Sequence, residues 1–255
     1  MAPRYPSLRQ PPLALARVGV PHASPLETAS LLGHSLGLDD VGFEGRLWLT
    51  ADGEPVVHPE PVVRVGMRRR PLADLARSEV PDHVVGLGQL CEAGGGRLHL
   101  ALSSDQDDAA RAAVAVVREA GGEAALSRLW LRASDWRQAA SWRTMSEAVR
   151  LVDDTRLRRI DPGPERRAAQ LAGAGVDAVQ LPESDWTPGL TTLFHRFARL
   201  AFAGPATHRR QLDALLDMGV DALSSDQVDR LAEAVAAMAR GRPPTTDPGR
   251  SAATP

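Results

Sequence analysis

Glu44 and Arg46, two residues apart in VGFEGRLWLT, are the first side chains of this 255-residue chain with chemistry in their spacing. On a strand, alternate residues share a side, so the two point the same way. Glu44 offers a metal or proton ligand. Arg46 offers a guanidinium fork for a carboxylate or phosphate, and in a desolvated site the two are expected to pair with each other. His22 in VPHASP and His58 in VVHPEP sit in loops from which imidazoles could serve general acid–base chemistry. Asp153 and Asp154, ending AVRLVDDT, are the best paired carboxylates, although strand neighbours face opposite ways. Arg17, near the end of LALARVGV, adds a second fixed positive charge, which binds anions but cannot act as a base.

Blander roles are expected for the rest. His22 and His58 read by default as solvated loop residues. His99 lies near the start of its strand, which predicts packing toward the bottom of a barrel rather than chemistry. His34, His83, His195 and His208 fall on helices or loops. The acidic run DQDD (105–108) precedes a helix and is expected to cap it and complement its dipole. The arginine run 68–70 reads as a solvated loop that could fold onto an anion. The single Cys91 excludes an internal disulfide and reads as a buried structural thiol. No spacing resembles a zinc motif, and Trp130, Trp136, Trp142 and Trp186 read as packing residues.

These side chains need elements to hold them. Eight apolar strand-like runs alternate with amphipathic helical runs: 13–20, 41–50, 97–103, 127–134, 148–155, 176–183, 199–206 and 220–226. Such alternation predicts parallel strands covered by helices, and eight strands is the number that closes a TIM barrel. An open doubly wound sheet is the alternative, but no glycine-rich fingerprint follows the first strand. Ser24 and Glu27 have the spacing of a capping box before the first helix. A flexible arm is expected over 1–12, the barrel over 13–240 and a disordered Pro/Thr/Ser-rich tail over 241–255. A hydrophobic content of 43% suffices for one large core, and the net charge of −2 gives no case for nucleic acid or an anionic membrane surface. All 30 basic side chains are arginine, with no lysine, no asparagine and one isoleucine, which points to a high-GC bacterium. No run is long enough to span a membrane. The N-terminal stretch reads as an arm rather than a signal peptide, so a cytoplasmic location is expected.

The stretch from Ser24 to Pro61 resembles the opening of the glycerophosphodiester phosphodiesterase family, and MGVDALSSDQVDRLAEAV (218–235) resembles its closing strand and helix. VDAVQLPESDWTP resembles its sixth strand and turn. The resemblance implies a (β/α)8 barrel that hydrolyses glycerophosphodiesters with a divalent metal, in lipid metabolism. It also implies site positions, most of which hold other residues here. The family's first His-Arg pair falls on Arg17 and Val18, with its glycine kept as Gly19. Its helix-start glutamate falls on Leu26, and its Glu-x-Asp metal pair on Glu44 and Arg46. Its second catalytic histidine falls on Pro59, with His58 one residue early and Glu60 in place of an aspartate. Its Glu-x-Lys falls on Ala101 and Ser103, and its seventh-strand Trp-Thr-Val-Asn on residues 203–206.

A metal cage needs several oxygen ligands, and Glu44 is the sole surviving one. The expectation is therefore a catalytically degenerate barrel, a pseudoenzyme, whose mouth binds a small phosphoester or other anion through Arg17 and Arg46 without a cofactor. One alternative is an active phosphoric diester hydrolase with a relocated site from Glu44, His22, His58 and Asp153, which would need Mg²⁺ or Ca²⁺. Another is a regulatory or structural partner of an active paralogue. Ligand identity and oligomeric state are left open.

Overall fold

The computed structural model describes residues 6–18, 25–36, 40–94 and 96–240. Gly19, His22, Ser24 and the tail over 241–255 lie outside the described residues.

The strands are β1 (Leu13–Arg17), β2 (Val41–Leu49), β3 (Pro55–Val57), β4 (Val62–Val65), β5 (Arg68–Pro71), β6 (Val85–Gly86), β7 (His99–Ser103), β8 (Leu129–Ala133), β9 (Arg150–Asp154), β10 (Ala178–Leu181), β11 (Leu200–Ala203) and β12 (Ala222–Ser225). Eight of them, β1, β2 and β7 through β12, pair in parallel, and β1 pairs with both β2 and β12. The ring is therefore closed, which excludes the open doubly wound sheet. The outer layer consists of α1 (Pro25–Leu36), α2 (Leu87–Gly94), α3 (Asp107–Leu126), α4 (Trp136–Ser141), α5 (Pro164–Gly173), α6 (Pro188–Arg196), α7 (Arg209–Met218) and α8 (Val228–Arg240). Among the described residues, no helix is long and apolar enough to cross a membrane.

Alternation along each strand sorts its residues between two cores. Leu13, Leu15, Trp130, Val152, Ala178 and Phe202 fill the inside of the ring, with the Trp130 and Phe202 rings 4.8 Å apart. Their strand neighbours, such as Ala14, Phe43, Leu131 and Val179, face the helices. The same alternation makes Arg17, Glu44, Arg46, Arg132, Asp154, Gln180 and Ser224 inward residues near the C-terminal ends of their strands, above the apolar plug.

At the opposite end, Asp221 is fully buried and its carboxylate accepts from Ser7 Oγ (2.6 Å), Arg9 N (3.0 Å) and Ala201 N (2.7 Å). His195 Nε2 lies 2.7 Å from the same carboxylate. Ser7 and Arg9, within the stretch expected to be a flexible arm, are thus bonded to the barrel floor. His99 also sits low, accepting from Trp130 Nε1 at 3.0 Å, in agreement with its expected packing role.

The segment between β2 and α2 differs from its sequence reading. The arginines at 68–70 are not in a loop but in β5, paired antiparallel with β4. The run PLADLARS (71–78) that follows forms two short 3-10 turns, Leu72–Asp74 and Arg77–Glu79. The segment has a small core of its own from Val56, Val63, Leu72, Leu75, Val80 and Val84, against which Trp48 packs. Leu72 and Leu75 are fully buried in that core.

Candidate functional site

The barrel mouth is organised by one guanidinium. Arg132, on β8, is buried at 7% side-chain exposure, with Nη1 3.0 Å from Glu44 Oε1 and Nη2 donating to Asp154 Oδ2 at 2.8 Å. The expected partner of Glu44 was Arg46, and the structure corrects this. Arg46 reaches outward to Asp105 (2.9 Å) and lies over the Trp48 ring at 4.8 Å, with 44% of its side chain exposed. Parity placed Glu44 and Arg46 on one side correctly, but the neighbouring strands decide who meets whom. Arg46 stands level with Ser103 and Arg132 across β7 and β8, and it is Arg132, two strands away, that turns inward to Glu44.

Electrostatics follow from this arrangement. Burial pushes the Glu44 carboxyl up, but the Arg132 charge, with that of Arg17, outweighs burial and holds it below the ordinary range. Burial likewise works against the Arg132 charge, and Asp154 and Glu44 overcome it, raising its pKa. The pair is therefore ionised. Glu44 Oε2, Arg132 Nε and Ser224 Oγ are buried without a hydrogen-bond partner among the described residues. Gly204 makes room for Ser224, because a Cβ at 204 would come 2.0 Å from Ser224 Oγ.

Arg17 points into the mouth and donates through Nη1 to both carboxylate oxygens of Asp226, at 3.0 and 3.2 Å. Gln180 is buried on β10. Asp105 does not cap α3. It accepts from Ser134 Oγ at 2.6 Å as well as from Arg46, and these bonds draw its pKa below the ordinary value. Asp107 and Asp108 are the acidic residues in the first turn of α3.

Among the described residues, the groups proposed from sequence for a relocated site do not converge. Asp153 turns out of the barrel to Arg167 on α5 at 2.7 Å and is fully buried, while its neighbour Asp154 turns in. Burial pushes the Asp153 carboxyl up to about 6 despite the Arg167 charge. His58 Nδ1 is held locally, 2.8 Å from the Glu60 carbonyl oxygen and 3.2 Å from the Glu60 amide nitrogen, with its ring 5.9 Å from that of His83. His22 lies outside the described residues. Cys91 is buried as expected, and burial, with Glu92, pushes its thiol up to about 11.

Arg132 and Asp226 are mouth residues that the sequence did not single out, and of the pair Asp153 and Asp154 it is Asp154 that faces the mouth. Each ends or follows a barrel strand on inward parity. Arg132 within the otherwise apolar strand LWLRA is the available signal.

A divalent metal does not fit this donor set. Glu44 is engaged by a guanidinium, and Arg46 and Ala101 stand at the other two ligand positions that the resemblance implies. Among the described residues, no three His, Cys, Asp or Glu side chains are placed to hold a metal ion.

No family model matches the chain, and no curated protein matches it. Solved structures do. A protein of Silicibacter pomeroyi assigned as a glycerophosphoryl diester phosphodiesterase aligns with a TM-score of 0.70 at 20% identity, covering 93% of this chain and 95% of that one. The chain has the glycerophosphodiester phosphodiesterase barrel fold. The same enzyme type from Thermotoga maritima aligns at TM-score 0.68 and 11% identity, over 87% and 97% of the two chains. An Oleispira antarctica phosphodiesterase, solved with the product sn-glycerol-3-phosphate, aligns at 0.66 and 15%, over 88% and 96%. At these identities the likeness establishes the fold of the phosphodiesterases, and the site must be judged on its own residues.

Proposed function

We propose that this chain is a glycerophosphodiester phosphodiesterase-type barrel without the hydrolytic reaction, whose C-terminal mouth binds a small phosphoester or related anion. The observation that carries this reading is the Arg132 guanidinium between Glu44 and Asp154. A phosphodiester hydrolase must stabilise charge on the phosphoryl oxygens and protonate the leaving oxygen. Here the carboxylates that could hold a cation already hold an arginine. Arg17 stands where the family pattern places a histidine and cannot exchange a proton near neutral pH. His58 is bonded to Glu60 rather than aimed at the mouth, and Asp153 faces α5, so neither supports the relocated hydrolase.

Anion binding rests on Arg17 and Arg46. Their partners, Asp226 and Asp105, are themselves part-exposed, and such ion pairs are worth only about 0–1 kcal/mol. A phosphate can replace either carboxylate at little cost and presents the same paired oxygens to a guanidinium. The Oleispira neighbour, bound to sn-glycerol-3-phosphate, supports the ligand class.

Incubation of purified protein with glycerophosphocholine and Mg²⁺ or Ca²⁺ should release no glycerol 3-phosphate. Metal-dependent release that disappears in Glu44→Gln would overturn the reading and restore the hydrolase.

A further inference from the structure

We propose that the β4–β5 hairpin is a docking finger for an anionic lipid surface. This goes beyond the reading of the mouth and does not depend on it. The hairpin is a two-stranded sheet separate from the barrel sheet. Its turn carries Gly66 and Met67, and Met67 is 94% exposed, a large apolar side chain with nothing packed over it. Around that tip the ten residues from 62 to 71 hold four arginines, Arg64, Arg68, Arg69 and Arg70, and no acid. Arg64 and Arg69 are directly opposite each other across the strands, an arrangement of like charges that destabilises an isolated pair. Glu60 neutralises Arg69 and Glu79 neutralises Arg70, while Arg64 bonds to the Gly66 carbonyl and has no carboxylate partner among the described residues. The whole-chain charge of −2 conceals this local concentration.

An apolar tip ringed by guanidiniums suits the headgroup layer, where the side chain enters the acyl boundary and arginines meet lipid phosphates. A protein partner fits less well. A stable protein interface buries about 800 Å² per side, whereas one methionine projecting from a narrow hairpin offers a wedge and no face. A fluid surface needs no complementary shape. On its inner side the hairpin is anchored by Val63, buried in the small core beside Trp48, so the finger is carried on a packed base.

The test is co-sedimentation of the full chain with vesicles of phosphatidylglycerol and phosphatidylcholine, against vesicles of phosphatidylcholine alone, in low and high salt. The expected result is binding to the anionic vesicles, lost in high salt, and reduced about fivefold for each of Arg64→Gln and Arg68→Gln. Met67→Ser should weaken binding without changing the salt dependence. All three substitutions are at exposed positions and should leave the melting temperature unchanged, which separates loss of docking from loss of fold. Equal binding to neutral vesicles, no binding to either, or unaltered binding by the variants would overturn the proposal. So would binding of the hairpin to soluble polyglutamate with no binding to vesicles, which would make the finger a site for an acidic protein.

Discussion

Arg132 and Arg46 are the same residue type at the same level of the barrel, and their burial separates their effects. Arg132→Met leaves Glu44 and Asp154 without their shared cation in a desolvated place, and breaking one side of a buried pair costs about 3–5 kcal/mol. Arg46→Met removes a pair that is nearly half exposed on both sides and should cost about 0–1 kcal/mol. Chemical denaturation of the two variants should give clearly different midpoints. If both unfold like the wild type, Arg132 does not organise the mouth. Two carboxyls also give pH dependence of opposite sign. The folded chain holds the Asp153 proton more tightly than the unfolded chain, its pKa rising from 3.8 to about 6, so this group's contribution to stability falls as pH rises from about 4 to about 6. Glu44 is depressed below its ordinary 4.5, so its contribution is complete above that value and is lost as pH falls through the folded pKa. Measured across pH 3–8, the stability of wild type relative to Asp153→Asn should decline through the 4–6 window. A rise there would mean that Arg167 outweighs burial at this site.

At the scale of elements, barrel closure depends on close approach as well as on hydrophobic pattern. Gly42 on β2 lies against the backbone of β7, where a Cβ would come 2.0 Å from the His99 carbonyl oxygen. That oxygen belongs to a strand and cannot rotate away. Gly42→Ala should therefore destabilise by at least the 1–3 kcal/mol typical of overpacking, read as a fall in the denaturation midpoint. A variant as stable as wild type would mean that β2 and β7 can separate freely. The strands themselves were legible because each is a short apolar run between turn residues, and parity told which side each residue faces. Parity did not tell which strand's side chain arrives first at a shared centre. Parity alone therefore suggests Arg46 for Glu44 where the partner is Arg132, and leaves open which of Asp153 and Asp154 is the inward carboxylate, which is Asp154. The 68–70 arginines suggest a loop in the sequence because a charged run has no apolar alternation. Their strand is fixed by pairing with β4, a contact between residues that local pattern does not link.

At the scale of the whole molecule, the barrel and its family resemblance were readable because order and spacing survive where chemistry does not. The same positions that betray the fold, Glu44 above all, stand beside arginines and alanines in place of ligands. The mouth carries guanidiniums at Arg17, Arg46 and Arg132 and carboxylates at Glu44, Asp105, Asp154 and Asp226, so an anion must compete with built-in acids. The competition has a direction that can be measured. Phosphate, sulfate or sn-glycerol 3-phosphate should raise the melting temperature by mass action. At ten times the dissociation constant this is worth about 1.4 kcal/mol, or a few degrees for a chain of this size. Arg17→Gln and Arg46→Gln should each weaken that shift. Asp226→Asn should strengthen it, because the amide no longer pairs ionically with Arg17 and leaves its guanidinium to the ligand. Ca²⁺ and Mg²⁺ should give no shift, since Arg132 already holds the carboxylates they would need. Stabilisation by Ca²⁺ with no response to phosphate esters would reverse the assignment, and stabilisation by anions that Asp226→Asn leaves unchanged would place the anion somewhere other than at Arg17.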